Sequence, residues 1–280
     1  MRAVLSSIQS AIQRSIQRSI QSSIQSSTGL FFLLGATLVG AFGGGADSGS
    51  LPPSIITAPL SVDQVMNSVV RKDAERAQAL RHYESIRVYH LSYRGFPGDR
   101  DAEMTVEATY DRPSTKSFKV ISQTGSKLII DRVFKRLLDS EKEAAEPEMH
   151  ARTMLSRDNY DIALIGFESS DKGSQYVLAV YPKARSKYLY RGKVWVDGTD
   201  FAVTRIDAEP AQNPSFWTKK NEIHHEYMKV ENFWLPRRNR SVSYIWLGGR
   251  ATLTIEYENY RVNDSRPSGN PTSSSGVGAR

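Results

Sequence analysis

Two adjacent histidines, His224 and His225, followed by Glu226, are the residues whose types first suggest chemistry, since imidazole and carboxylate groups bind metal ions. The residues around them alternate as in a strand, and neighbouring side chains of a strand point to opposite faces. The two imidazoles cannot then ligate one ion without distortion of the strand. We therefore expect no metal site, and no cofactor.

A second group of titratable residues lies in a charged segment near the middle of the chain. Its members are Glu141, Glu143, Glu146, Glu148 and His150. Paired carboxylates can act as general acid and base in hydrolysis, but a helix surface that faces solvent has the same composition, and we expect the solvated surface. The common motifs of hydrolases, nucleotide-binding proteins and zinc proteases do not occur in the sequence, so we expect no enzyme.

The large apolar residues point to a different kind of chemistry. The four tryptophans are Trp195, Trp217, Trp234 and Trp246. One interpretation is ordinary packing in a core or on a covered sheet face. The other is an apolar pocket, in which an acyl chain replaces water at about 0.8 kcal/mol per buried CH₂ group. Such a pocket needs few polar contacts, and both interpretations remain open.

The elements that would position these residues are mainly strands. Ser61 and Gln64 form a capping-box pattern, and apolar residues at helical spacing predict a helix from there to about Ser85. Alternation of apolar and polar residues then predicts ten strands. They are 87–94, 103–110, 116–122, 160–167, 175–181, the two strands of a hairpin over 188–209, 219–230, 239–247 and 250–262.

A helical insertion interrupts the strands after the third one. Apolar residues at helical spacing predict a helix over 128–138, which the charges up to 146 extend, and a second, shorter helix follows Pro147 over 148–156. Several middle strands are apolar on both faces; in the hairpin, Val194 and Trp195 point to opposite sides. Both faces of such a sheet must be covered.

These elements predict an α+β, mainly β fold. We expect a strongly curved antiparallel sheet that forms a half-open barrel, covered by the N-terminal helix and the inserted helical pair. Between the helices and the concave side of the sheet lies either a filled core or a hydrophobic cavity. The folded domain is expected to span residues 61–262.

The N-terminal residues resemble an export signal. Residues 1–46 contain three arginines and no acidic residue, and residues 30–42 form an apolar run of 13, which is too short to span a bilayer but suits a signal peptide. We expect cleavage near Ala46, and an uncleaved membrane anchor is the alternative. Removing this segment lowers the formal net charge from +7 to +4.

The remaining flanks carry no pattern of a packed fold. Residues 47–60 are predicted to be a linker, and residues 263–280, rich in Ser, Gly and Pro, to be a disordered tail. The sequence has no cysteine, which excludes disulfides, thiolate metal sites and a lipid-anchored N-terminus. We expect a periplasmic protein, and a monomer that does not bind nucleic acid.

Three phrases of the sequence resemble those of exported bacterial proteins described as outer-membrane lipoprotein-sorting proteins. The phrases are RGKVWVDGTDFAVTRIDAEP, NPSFWTKKNEIHHEYMKVENFWLP and GGRATLTIEYENY. The order of elements is also similar to that of the LolA and LolB periplasmic lipoprotein carriers, across about residues 61–262. Because the chain has no cysteine, it is more similar to LolA, which is soluble, than to LolB, which is itself a lipoprotein.

This resemblance implies an incomplete barrel closed by helices, with a cavity for lipoprotein acyl chains. Carriers of this superfamily use an arginine that helps to close the lid, and Arg94 is the candidate here. The helix 128–138 would be the lid. The cavity and lid candidates are Val133, Phe134, Leu137, Leu138, Leu178, Val180, Leu189, Trp195 and Trp217.

The function expected from the sequence is the binding of a hydrophobic ligand in the periplasm, with carriage of lipoprotein acyl chains or phospholipid towards the outer membrane. Proteins of the inner and outer membranes are the expected partners of such a carrier. A sensor or interaction module of the bacterial envelope, with the same half-barrel and no transport activity, is the alternative.

Overall fold

A computed structural model describes residues 60–96, 98–113, 115–143, 153–170, 173–186, 189–212, 218–245 and 249–263. The predicted export signal, linker and tail lie outside these residues, apart from Leu60 and Asn263. Trp217 and Trp246 also lie outside them. None of the helices in the described ranges is long and apolar enough to cross a membrane.

The first helix, α1 (Val62–Ala79), begins at the predicted capping box. Ser61 Oγ accepts a hydrogen bond from the Gln64 backbone N–H at 3.3 Å, and Gln64 Oε1 accepts one from the Ser61 N–H at 2.9 Å. The predicted end near Ser85 is wrong, because the helix stops at Ala79 and Ser85 lies in the first strand.

The predicted ten antiparallel strands are confirmed within the described ranges, and they form one sheet. The strands are β1 (His82–Arg94), β2 (Arg100–Asp111), β3 (Thr115–Gly125), β4 (Tyr160–Ser170), β5 (Gly173–Pro182), β6 (Tyr190–Asp197), β7 (Val203–Pro210), β8 (Thr218–Val230), β9 (Phe233–Ile245) and β10 (Arg250–Val262). Their order is β3-β2-β1-β10-β9-β8-β7-β6-β5-β4. β3 and β4 are the two edges, and the sheet is not closed.

Two strands begin at least five residues earlier than predicted. β1 starts at His82 because it pairs with β2 and β10, but the alternation there is hidden in the sequence by polar residues, Ser85 and Arg87, on the buried face. β9 starts at Phe233 although it contains Pro236, which cannot donate to a ladder. The register shifts next to Tyr227, the residue opposite Pro236, and this irregularity accommodates the proline.

The insertion after β3 is helical, as predicted. It consists of α2 (Lys127–Ile129), a π-helical turn (Ile130–Phe134) and α3 (Lys135–Glu143), which together we call the inserted helix. The second predicted helix, over 148–156, lies mostly outside the described residues. Its last four residues, 153–156, form turns and bends rather than a helix.

α1 and the inserted helix cover the same face of the sheet, which we call the inner face. Residues directly opposite each other in neighbouring strands share a face, so the register can be followed across the sheet. One such row consists of Ala102, Leu91, Leu253, Ser241, Ile223, Ala208, Gly192 and Val180. The inserted helix packs at the β2 end of this row, and α1 packs at the β5 end.

Candidate functional site

Two separate apolar clusters of the inner face lie under the helices, one under each. A third buried cluster consists of Leu80, Tyr83, Tyr110, Phe233, Leu235 and Val262. In the first, which we call the lid cluster, the inserted helix packs on β1, β2 and β10. Of the predicted site residues, this cluster contains Val133, Phe134, Leu137 and Leu138, all at most 7 % exposed. The structure therefore brings the four residues of the predicted lid helix together against the sheet.

The second cluster, which we call the α1 cluster, lies under α1 at the other end of the sheet. Val65, Met66 and Val69 of the helix pack on strands β4 to β8. The predicted site residues Leu178, Val180 and Leu189 belong to this cluster and are also buried. The predicted lid and the predicted cavity wall are thus in two different clusters.

Trp195 belongs to neither cluster, because it lies on the outer face of β6. Its neighbours Val194 and Val196 point to the inner face and are buried. On the outer face, the Arg205 guanidinium carbon lies 4.5 Å from the centre of the Trp195 ring, and Trp195 Nε1 donates to Glu168 at 3.4 Å. The hairpin is therefore apolar on both faces because one face packs under α1 and the other supports this stacked arginine.

Arg94, the predicted lid-closing residue, lies at the exposed end of β1. Its guanidinium forms a two-point ion pair with the Asp101 carboxylate, with Nη–Oδ distances of 2.8 and 3.0 Å. Both side chains are 48 % exposed. The contacts described for the Arg94 guanidinium are thus with Asp99, Asp101 and the Tyr93 carbonyl group.

A different arginine of β1, Arg87, contacts the inserted helix. Arg87 Nη1 lies 2.5 Å from Glu141 Oε2, and the two side chains are only 4 % and 2 % exposed. Tyr89 donates a hydrogen bond to the other Glu141 oxygen at 3.0 Å. We call this ion pair the Arg87–Glu141 latch, since it joins the inserted helix to the sheet.

Aromatic side chains enclose the guanidinium of the latch. The Arg87 Cζ atom lies 5.3 Å from the ring centre of Phe118 and 5.1 Å from that of Tyr257. Burial lowers the pKa of Arg87, but the Glu141 carboxylate and the surrounding tyrosines raise it more, to well above its usual range. Burial, with the charge of Glu141, also raises the pKa of Tyr89 well above its usual range. The guanidinium of the latch is therefore charged at all physiological pH values.

The sequence interpretation missed both residues of the latch. The expected solvated surface is wrong for Glu141, which is 2 % exposed. A signal was available, since Glu141 lies four residues after Leu137 and three after Leu138, on the apolar face of the helix. Arg87 is two residues from Tyr89 and shares its face of β1, but buried arginines are rare, so the alternation alone does not predict that this one points inward.

Lys116 is a second buried cation near the latch. It lies in β3 and is 7 % exposed. Burial lowers its pKa to about 8; the Glu141 carboxylate opposes this shift and the Arg87 guanidinium adds to it. At pH 7 the ammonium group is consequently still mostly protonated.

The lowered pKa of Lys116 predicts a pH dependence of stability. Between pH 8 and about 10.4, where the free lysine titrates, the unfolded chain binds more protons than the folded one. Stability contributed by this residue therefore rises with pH across that window, by up to about 3 kcal/mol. Urea unfolding of the wild type and of Lys116→Met at several pH values measures it. We expect the wild type to gain stability relative to the variant, whereas two parallel curves would contradict the prediction.

Polar residues separate the two apolar clusters on the inner face. The residues of this polar band, on β8 and β9, are Asn221, His225, Asn239, Ser241 and Ser243, none more than 3 % exposed. Asn239 Nδ2 donates to Tyr257 Oη at 2.8 Å, and Ser243 Oγ donates to Asn221 Oδ1 at 2.9 Å. Since Tyr257 also stacks on Arg87, the band is continuous with the latch.

The two adjacent histidines point to opposite faces, as predicted. His225 is completely buried on the inner face, and burial lowers its pKa to about 3, so its imidazole is neutral. His224 lies on the outer face, with Nδ1 3.0 Å from Asp207 Oδ1. Within the described ranges, three or more His, Asp or Glu residues are nowhere grouped so that they could hold a metal ion.

Similar proteins are found among solved structures, but no similar sequence is found. No protein-family profile matches the chain, and no curated protein matches it in sequence. Among solved structures, the chain is similar to a DUF1329 family protein from Desulfovibrio piger, with 16 % identity and a TM-score of 0.37. The similarity covers 74 % of this chain and 95 % of that one.

Two further similar structures belong to the superfamily suggested by the sequence phrases. One is a LolA superfamily protein from Nitrosomonas europaea, with 9 % identity, a TM-score of 0.30 and coverage of 74 % of this chain and 96 % of that one. The other is a putative outer membrane lipoprotein-sorting protein domain from Vibrio parahaemolyticus, with 10 % identity, a TM-score of 0.35 and coverage of 73 % and 93 %. The expected resemblance is confirmed to this extent.

Proposed function

We propose that this protein binds a hydrophobic ligand in the periplasm, and that it carries lipoprotein acyl chains or phospholipid towards the outer membrane. The inserted helix acts as a lid over the lid cluster. The observation that carries the proposal is the Arg87–Glu141 latch, a buried ion pair in the seam between the inserted helix and the sheet, next to the apolar side chains of the lid cluster.

A buried ion pair generally contributes little to the free energy of folding. Removing two charges from water costs several kcal/mol per ion, and replacing such a pair by apolar residues is often neutral or stabilising. When a seam opens, however, its charges regain their hydration, whereas apolar groups lose their contacts. A seam that contains an ion pair therefore opens at lower cost than one packed only with apolar residues, and this favours a lid over a permanent cover.

The local structure of the inserted helix also supports a moving element. Residues Ile130–Phe134 form a π-helical turn between two α-helical segments. Turns of this kind interrupt the regular hydrogen bonding of a helix and occur frequently at functional sites. Val133 and Phe134 of the turn are buried in the lid cluster, so a change in this turn would move them relative to the sheet.

The ligand class follows from the surface that an open lid would expose. The lid cluster consists of aliphatic and aromatic side chains, including Leu91, Leu253 and Ile255 of the sheet, which are at most 3 % exposed. Each methylene group buried there would contribute about 0.8 kcal/mol. In the half-open barrel expected from the sequence, the sheet curves so that Leu178, Val180 and Leu189 form a second wall for the same chains.

The proposed location rests on the N-terminal sequence. The basic, acid-free residues before the apolar run 30–42 and the small residues after it favour export, with cleavage near Ala46. The carrier is proposed to act as a monomer and to exchange its cargo with proteins of the two membranes.

The proposal is tested by exchange of a neutral, pyrene-labelled acyl ester. We expect saturable uptake by the full chain and a slow release that competing lipid accelerates. In the double variant Arg87→Met with Glu141→Leu, apolar side chains replace the latch, so we expect unchanged or higher stability and at least about tenfold slower exchange, which corresponds to about 1.4 kcal/mol in the opening barrier.

Three results separate the parts of this proposal. Absence of saturable uptake by the wild type would contradict hydrophobic-ligand binding itself. Uptake with the same exchange rate in the double variant would support hydrophobic-ligand binding but contradict a role of the latch in opening the lid. A matched control is Arg94→Met with Asp101→Leu, which removes an exposed ion pair outside the lid cluster and should leave exchange unchanged.

A further inference from the structure

The region around the latch contains more positive than negative buried charge. Arg87 and Lys116 are 3 % and 7 % exposed, and the nearby carboxylate is that of Glu141, at 2 %. Glu141 is already engaged by Arg87 and Tyr89. Among the described residues, Lys116 has no carboxylate within ion-pair distance, so the three groups together carry one uncompensated positive charge.

An uncompensated buried charge is strongly unfavourable unless a counter-charge is supplied. Two further polar atoms in this region have no hydrogen-bond partner among the described residues. They are Ser85 Oγ and Arg87 Nε, whose residues are 2 % and 3 % exposed. Buried polar atoms are usually satisfied, so unsatisfied atoms next to an unpaired cation indicate a missing partner. An N–H group and an ammonium group can only donate, and the missing partner is therefore an acceptor.

The sheet register places these groups close to one another. Ser85 and Arg87 are alternate residues of β1 and both lie on the inner face. Lys116 lies opposite Tyr110, which lies opposite Tyr83, so the lysine is in the row next to that of Ser85. Only β2 lies between β1 and β3, so these two strands are about 10 Å apart, within reach of a lysine side chain and a small ligand group.

The residue between Ser85 and β3 is small. Ala108 of β2 lies directly opposite Ser85 in β1. Ala108 is completely buried, and its methyl group offers no polar partner to Ser85. β3 is also an edge strand, so a ligand can approach Lys116 from the margin of the sheet.

We propose that Lys116, Ser85 Oγ and Arg87 Nε bind the anionic group, a phosphate or carboxylate, of a ligand whose acyl chains enter the lid cluster. This inference deepens the proposed function, since it names the chemistry of the polar end of the cargo. Phosphate and carboxylate oxygens accept charge-assisted hydrogen bonds from all three groups. The ammonium group is mostly protonated at pH 7 because its pKa is about 8.

The experiment is isothermal titration calorimetry of the full chain with three probes. The two dodecyl probes are used below their critical micelle concentrations. Dodecyl phosphate and dodecyl maltoside share the same alkyl chain and differ in the charge of the head group, and inorganic phosphate has the charge without the chain. The proteins are the wild type, Lys116→Met, Lys116→Arg and Ser85→Ala. Lys116→Met keeps the length of the side chain without the charge, and Lys116→Arg keeps the charge.

We expect the wild type to bind dodecyl phosphate at least about tenfold more tightly than dodecyl maltoside. Lys116→Met should lose that advantage and bind dodecyl maltoside as before, Lys116→Arg should retain most of it, and Ser85→Ala should lose a part. If inorganic phosphate binds with the same dependence on Lys116, the site takes free anions as well as lipid head groups, which supports the anion site.

Two results would overturn the inference. Equal affinities for the two dodecyl probes, unchanged in Lys116→Met, would contradict the proposed anion site but not the binding of a hydrophobic ligand. Failure of both dodecyl probes to bind would contradict the proposed function. In that case, binding of inorganic phosphate that depends on Lys116 would still support the anion site, and its absence would contradict it. Unfolding in urea shows that each variant is folded, since Lys116→Met removes a buried charge and should not be less stable than the wild type at pH 7.

Discussion

Replacing Arg87 by methionine is expected to lower the free energy of unfolding by about 3–5 kcal/mol, because the Glu141 carboxylate would then be buried without its partner. Glu141 is 2 % exposed, and its remaining hydrogen bond in the described structure comes from Tyr89. The cation–π contacts of Arg87 with Phe118 and Tyr257 would be lost as well. Urea or guanidinium unfolding, followed by circular dichroism, measures this loss.

The double variant is the decisive control for this prediction. With Glu141→Leu added to Arg87→Met, no charge of the latch remains buried, and the double variant should be at least as stable as the wild type. Arg94→Met breaks an ion pair in which both side chains are 48 % exposed, and we expect a loss of less than about 1 kcal/mol. Equal losses for Arg87→Met and Arg94→Met would show that the latch is not a buried ion pair.

Replacing Leu137 by aspartate is expected to lower the free energy of unfolding by a similar amount, more than about 3 kcal/mol. Leu137 is 2 % exposed in the lid cluster, so the variant removes a buried aliphatic side chain and places a carboxyl group among apolar neighbours. If the inserted helix is a lid, the variant should also favour the detached helix. We therefore expect binding of a hydrophobic fluorescent dye to rise before the strands unfold in urea.

Leu128→Asp is the matched control on the same helix. It makes the same chemical change at a side chain that is 37 % exposed, and we expect it to cost less than about 1 kcal/mol. A Leu137→Asp variant that kept both wild-type stability and wild-type uptake of an acyl probe would show that the inserted helix is not packed on the sheet as a lid.

The sheet was largely predictable from the sequence because most of its strands have one strongly apolar face. β10 has the predicted bounds, with Ala251, Leu253, Ile255 and Tyr257 buried on one side. The capping box at Ser61 was equally clear, since it depends on two residues at a fixed spacing. The start of β1 and the start of β9 were not predictable in this way, because polar residues and a proline occupy positions that pairing with neighbouring strands holds in the sheet.

The site was less predictable, because which buried residues meet depends on long-range pairing. Phe134 and Leu178 are both fully buried, as an apolar pattern suggests, but they belong to clusters at opposite ends of the sheet. Trp195 follows the alternation of β6 onto the outer face. The latch joins residues 54 positions apart, Arg87 and Glu141, and local patterns carry no information on such a contact.

The most direct test of hydrophobic-ligand binding is native mass spectrometry of the chain purified from the periplasm without detergent, next to a delipidated sample. We expect a discrete added mass in the first sample, which solvent extraction identifies as an acylated peptide or a phospholipid and which is absent from the second. A single mass equal to that of the protein, together with no uptake of the acyl ester by the delipidated chain, would contradict the proposal; the two clusters would then be a filled core.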